Sequence, residues 1–126
     1  MMLNGGELEG RRVFRPETVK AMTSVHSPEG LPRRGWGWDI DSPYAGPRGS
    51  RFPIGSYGHS GWTGTSVWID PFSQSFVILL SNRNHPTEDG NVIPLRRQGG
   101  TLAAQAIADF DFDHVSGALA PAPAAK

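Results

Sequence analysis

The sequence predicts an α/β protein of the α+β type, an antiparallel β-sheet with helices flanking it. Three observations carry this expectation. Two apolar runs, residues 65–69 and 76–80, are separated by Asp70-Pro71-Phe72-Ser73-Gln74-Ser75, whose turn chemistry implies an antiparallel hairpin. Residues 35–41 alternate, which sets Trp36, Trp38 and Ile40 on one face of a strand and assigns both tryptophans to the core. Two segments carry helix signals, residues 15–22 and a stretch opening at Gly100-Thr101.

In chain order, Met1 to Asn4 reads as the last turn of a helix stopped by Gly5-Gly6, because Asn and Gly supply a left-handed cap. A helix rarely opens a chain with its final turn, so more chain is expected upstream. Residues 15–22 form a short helix with Pro16 at its first position and Glu17 in its first turn, and Val19 and Met22 face the core. Ser27-Pro28-Glu29-Gly30-Leu31-Pro32 is a loop, and residues 42–53, with Pro43, Gly46, Pro47, Gly49 and Pro53, form a surface loop. The run 76–80 is apolar at consecutive positions, as expected of a strand covered on both faces. Residues 82–91 are polar and loop-like. Leu102, Ala103, Ala106, Ile107 and Phe110 recur at helical spacing in the last helix. Residues 115–126 form an Ala/Pro-rich tail expected to be disordered, which leaves 1–114 as the folded portion.

At 126 residues the chain is one domain or part of one. Its formal net charge of +0 gives no electrostatic footprint for nucleic acid or an anionic membrane. The pairs Arg11-Arg12, Arg33-Arg34 and Arg96-Arg97 read as solvated surface charge. There is no cysteine, which excludes a disulfide framework and a thiolate metal site. His26, His59, His85 and His114 do not sit at zinc-site spacing, so no metal and no cofactor is expected. The longest apolar run is too short to span a bilayer. The first residues show neither a basic region nor the apolar stretch of a signal peptide.

The densest chemistry lies in Tyr57-Gly58-His59-Ser60-Gly61-Trp62-Thr63-Gly64-Thr65-Ser66. Glycines there let a ligand approach the backbone, the hydroxyls and imidazole offer donors and acceptors, and Val67-Trp68-Ile69 anchors the segment as a strand. The stretch therefore reads as a binding edge on a sheet. His59-Ser60-Gly61, with Trp62-Thr63-Gly64-Thr65-Ser66 and the ending Trp68-Ile69-Asp70-Pro71, resembles the third motif of the serine β-lactamase and DD-peptidase superfamily. That motif is K-T-G, or H-S-G and H-T-G in many class C-like hydrolases and esterases. Leu3-Asn4-Gly5-Gly6-Glu7-Leu8 and Pro16-Glu17-Thr18-Val19 resemble the helical segment before that strand. Phe76-Val77-Ile78-Leu79-Leu80-Ser81-Asn82-Arg83 and His85-Pro86 resemble the next strand and its exit loop. The likeness covers roughly residues 1–110 and only the C-terminal portion of such an enzyme.

The resemblance implies the C-terminal part of the β-lactamase/transpeptidase-like fold. It places His59 facing the cleft, to bind a substrate carboxylate or shuttle a proton. Ser60 takes the hydroxyl position that donates to a substrate carboxylate or carbonyl, and Gly61 lets the substrate pass. The backbone N–H of Trp62 is half of an oxyanion hole, and Thr63 and Gly64 support that strand. Tyr44 and Arg48 fall in a connection that runs near the cleft in the family. The implied partners are a small-molecule or peptide substrate and the missing N-terminal portion of the fold. The implied reaction is cleavage of a β-lactam, a D-Ala-D-Ala peptide or a small ester, with His59 in place of Lys leaning toward esterase or peptidase. Family members often work in the periplasm or outside the cell.

The other two family motifs are missing. No serine is followed by lysine three positions on, and Lys20 and Lys126 are the only lysines. Y-x-N fails too, since Tyr44 leads to Gly46 and Tyr57 to His59. A serine hydroxyl without an adjacent base is a poor nucleophile, so the chain alone is expected to be inactive by this mechanism. A His59, Ser60 and Asp70 triad fails because adjacent strand residues point to opposite faces. Two alternatives stand beside the enzyme-fragment reading: a non-catalytic binding module that kept the sheet, and complementation by a separate chain carrying S-x-x-K. The acidic-aromatic stretch Asp109 to His114 carries no assigned role.

Overall fold

The computed structural model of the chain describes residues 1–121. In order, the elements are β1 (Glu7–Leu8), β2 (Arg11–Arg12), α1 (Pro16–Thr23), β3 (Arg33–Arg34), β4 (Asp39–Asp41), β5 (Tyr57–Ser60), β6 (Ser66–Asp70), β7 (Ser75–Leu79) and α2 (Ile93–Gln105), with a 3-10 turn at Gly46–Arg48. β1 and β2 pair as a small ribbon, and the other strands form one five-stranded sheet in the order β3-β4-β5-β6-β7. Every pairing of these named strands is antiparallel. The expected α+β architecture holds.

The hairpin forms where turn chemistry placed it, and Asp70 is the reason. Its buried carboxylate accepts the amides of Phe72 (3.4 Å) and Ser73 (3.0 Å), so the side chain supplies acceptors that the turning backbone lacks. β6 and β7 then pair in register, from Asp70 opposite Ser75 to Ser66 opposite Leu79.

The sheet divides the core in two. On one face Trp68, fully buried, packs with Ala45, Phe52 and Ala104, and α2 lies over it. The Trp68 indole N–H donates to Ser56 Oγ at 2.8 Å, which satisfies the polar atom that burial would otherwise leave costly. The other face buries Ile40, Tyr57 and Ile69 beneath Met2, Leu3 and Trp38.

α2 approaches the 3-10 turn so closely that a Cβ at Gly100 would run into the Pro47 carbonyl oxygen. This explains why Gly100 sits inside a helix rather than starting one. The helix begins earlier than expected because Asn91 Oδ1 accepts the Ile93 amide at 3.0 Å and Pro94 fits the first turn. Ala104 is its most buried side chain, while Leu102 is exposed.

α1 matches its expected bounds to within one residue at each end, with Val19 buried and Met22 half-buried. Residues 1–6 form a hydrogen-bonded turn in which Gly6 N–H donates to the Met1 carbonyl and Gly5 takes a φ of 58°. The helical reading of Leu3 to Leu8 is corrected, since the chain passes from that turn directly into β1. The long strand over residues 35–41 is also corrected. Arg34 pairs with Asp39, so residues 35–38 are the hairpin turn itself, and Gly37 adopts a φ of 76° there. Trp36 consequently stacks on His26 at the surface instead of entering the core, while Trp38 is half-buried against Tyr57. Residues 42–53 are more than a surface loop, because Ala45, Pro47 and Phe52 are buried. In the Ala/Pro-rich segment, the Leu119 amide donates to Ile54 at 2.8 Å; residues 122–126 lie outside the described part.

Candidate functional site

β5 delivers His59-Ser60-Gly61 to the end of the sheet. Its register against β6 sets Tyr57 opposite Ile69, Gly58 opposite Trp68, His59 opposite Val67 and Ser60 opposite Ser66. Gly58 is required there, since any Cβ would overlap the Trp68 ring. On its other side β5 pairs with β4 only at Gly58, opposite Asp39. Past that point the backbone edge of His59 and Ser60 is open, a geometry to which an extended chain can add.

Alternation separates the two polar side chains of the triplet. His59 stands exposed on the face that carries Tyr57 and Ile69. Ser60, half-buried, faces the opposite way and lines a cavity of about 420 Å³ with Gly61, Trp62, Tyr44, Ile93, Arg83 and Arg96 among its walls. A smaller neighbouring cavity of about 230 Å³ is bordered by Arg34, Asp39, Tyr44, His59 and Ser60. Asp39 is buried there, with its Oδ2 accepting from Ser42 Oγ at 2.6 Å.

The turn after the triplet is held by its carbonyls. Arg96 donates to Gly61 O at 2.6 Å, Gly64 O at 3.1 Å and Thr65 O at 2.8 Å. Arg83 donates through Nε to Trp62 O at 2.7 Å, and through its backbone amide to Thr63 O at 2.8 Å. Ser81 Oγ adds a bond to Gly64 O at 2.9 Å. Each carbonyl from Gly61 to Thr65 is thereby engaged, whereas the amide of Trp62 has no acceptor among the described residues. The Arg83 guanidinium lies 4.2 Å from the centroid of the exposed Trp62 ring, a cation–π contact. Burial, and after it the charge of Arg83, lower the pKa of Arg96 from its ordinary value.

Of the residues singled out in the sequence, Ser60, Gly61 and Trp62 meet at the larger cavity, together with Tyr44. His59 is on the opposite sheet face, and Thr63 is exposed in the turn. Arg48 instead pairs with Asp41 at 3.0 Å. The reading of the arginine pairs as solvated charge holds for Arg11 and Arg12 and is corrected for Arg96, which is half-buried on three carbonyls. Arg33 and Arg34 are half-buried as well, facing Asp41 and Asp39. The signal for Arg96 was its place near the start of a helix that follows a polar loop, visible only once that start is set at Ile93. Among the described residues no group of three or more His, Asp or Glu side chains is arranged to hold a metal ion, and no helix is long and apolar enough to cross a membrane.

Comparison with known proteins agrees with the motif. The sequence model of the family described as Beta-lactamase matches residues 1–100. A protein of Escherichia coli (strain K12) named "Putative D-alanyl-D-alanine carboxypeptidase" is 33% identical over 102 residues, which cover 80% of this chain and 24% of that protein. A protein of the same name from Salmonella enteritidis PT4 (strain P125109) is 35% identical over 125 residues, covering 94% of this chain and 28% of that protein. The chain thus spans about a quarter of the length of these relatives. With the family model matching most of its residues, the chain belongs to the beta-lactamase family.

Proposed function

We propose that this chain forms the H-S-G wall of a serine hydrolase cleft whose nucleophile is carried by the remainder of the family fold. The observation that carries the reading is the Gly61–Thr65 turn, whose carbonyls are all held from behind while the Trp62 amide is left to meet a developing oxyanion. In this reading the open edge of β5 receives the substrate backbone, Ser60 donates to a substrate carboxylate or carbonyl, and His59 binds a substrate carboxylate or shuttles a proton. Thr63 and Gly64 support the turn. The relatives' name supports a peptide ending in D-alanine as one substrate class; a β-lactam or a small ester would use the same kind of acyl-serine.

Alone, the chain has no S-x-x-K pair to make an acyl-enzyme. The purified chain is therefore expected to show no turnover of nitrocefin, p-nitrophenyl acetate or a D-Ala-D-Ala peptide above buffer. Turnover that disappears in Ser60→Ala would overturn this reading and make Ser60 a nucleophile. Turnover that survives both Ser60→Ala and His59→Ala would move the chemistry away from this site altogether.

A further inference from the structure

Past α2 the chain turns back over the molecule. No helix or strand forms between Phe110 and Ala120, yet this segment crosses the loop of residues 42–55 and is tied to it. Phe112 packs against the core of Ala45, Phe52, Trp68 and Ala104, edge-on to the Phe52 ring at 5.7 Å, and Phe110 stands edge-on to Phe112 at 4.7 Å. Further on, the Leu119 amide donates to the Ile54 carbonyl at 2.8 Å, and the Arg33 guanidinium donates to the carbonyl of Ala120. Between these anchors the chain passes the β6–β7 turn, where a Cβ at Gly117 would lie 3.7 Å from the Phe72 ring. All of these anchoring residues of the segment lie beyond residue 100, where the match to the family's sequence model ends.

The loop beneath is a wall of the larger cavity. Pro43, Tyr44, Gly46 and Pro47 line it together with Ser60, Gly61 and Trp62, and Tyr44 borders the smaller cavity as well. Ala45, between two of these lining residues, is instead buried in one core with Phe52. Two bodies hold the loop. α2 meets Pro47 at Gly100 and takes the Ser50 amide on Thr101 Oγ1 at 3.0 Å. The C-terminal segment holds Phe52 and Ile54. Because Ala45 and Phe52 pack in the same cluster, loosening Phe52 loosens Ala45, and Tyr44 and Gly46 with it. Of the segment's ties, the Arg51–Asp113 ion pair at 3.2 Å is exposed on both sides and screened by water. The Phe112 ring and the Leu119 hydrogen bond are therefore its effective anchors.

We propose that residues 110–120 are a strap that seats loop 42–55 as the wall of the cavity beside Ser60, so that releasing the strap opens the cavity. The strap goes beyond the functional reading above and does not depend on it, since the wall is held in the same way whatever chemistry the cavity serves.

The test exploits the absence of cysteine from the chain, which lets one introduced thiol report alone. Ala45→Cys places it behind the cavity wall, and Val19→Cys places it in α1; both positions are 7% exposed. Each reporter is labelled with the thiol reagent DTNB, in the full chain and in the full chain carrying Phe112→Ala with Leu119→Pro. That pair removes the aromatic anchor and the amide that Ile54 accepts, and neither residue lines the cavity. Labelling of Ala45→Cys is expected to accelerate at least about tenfold in the strap variant, with Val19→Cys changing less than about twofold. Unchanged labelling at Ala45→Cys would overturn the proposal, because the loop would then hold without the strap. Equal acceleration at both reporters would overturn it too, because the segment would then support the whole fold rather than the wall. Circular dichroism checks that the double variant is folded. Where it is not, Leu119→Pro alone, which leaves every core side chain in place, is compared in the same way and the same outcomes decide.

Discussion

Arg96 Nη2 lies 2.6 Å from the carbonyl oxygen of Gly61, and the same nitrogen reaches Thr65 O at 2.8 Å. One guanidinium thus closes the turn that begins at the H-S-G triplet. The Thr65 carbonyl also accepts the Gly61 amide at 2.8 Å, so the two ends of the turn are tied directly as well as through the arginine. The planar fork matters because a single-point donor cannot satisfy three carbonyls in fixed directions.

Arg96→Ala should therefore destabilise the chain by about 2–4 kcal/mol, the cost of leaving half-buried carbonyls without a charged donor. Arg96→Lys should recover less than half of that loss, because an ammonium cannot reproduce the fork. Urea unfolding followed by tryptophan fluorescence measures both variants. Equal stability of Arg96→Ala and the parent chain would show that the arginine does not hold the turn.

Neighbouring glycines in α2 should respond in opposite directions. A Cβ at Gly100 would meet the Pro47 carbonyl oxygen and the Gly49 amide, both backbone, whereas a Cβ at Gly99 meets nothing within 4 Å. Gly100→Ala is expected to cost at least about 2 kcal/mol through forced separation of α2 from the 3-10 turn. Gly99→Ala should gain roughly 0.5–1 kcal/mol, since alanine restricts the unfolded chain and favours helix. The pair of melting temperatures decides the matter, and a stabilised Gly100→Ala would contradict the packing described.

These two sites also show what the sequence could and could not reveal. The β6–β7 hairpin was legible because its signals are local: two apolar runs and an aspartate that caps its own turn. The H-S-G segment was legible as a motif for the same reason. The helical role of Gly99 and Gly100 was not, because a glycine pair ordinarily ends or starts a helix; the approach of Pro47, some fifty residues away, explains Gly100, and nothing in the structure explains Gly99. Trp36 was misplaced because alternation cannot tell a strand from a hairpin turn flanked by two-residue and three-residue strands. Arg83 and Arg96 were hidden for a further reason. Their partners are backbone carbonyls, which carry no residue-type signature.

Tyr57 gives a pH dependence whose sign follows from its surroundings. Burial, and secondarily the charge of Asp70, raise its phenol from 10.0 to about 12. The folded chain therefore keeps this proton after the unfolded chain has released it. Stability from the neutral phenol is fully present below about pH 10, falls as pH rises beyond that value, and is lost once pH passes about 12. Urea midpoints should hence decline between pH 10 and 12 more steeply in the parent chain than in Tyr57→Phe, which has no proton to lose. Tyr57→Phe also keeps the ring that packs against Trp38 at 5.4 Å, so its midpoint at neutral pH should stay close to that of the parent. Identical alkaline slopes for the two proteins would mean that Tyr57 ionises as readily in the folded chain as in the unfolded one, and that the interior formed by Ile40, Tyr57 and Ile69 is open to water.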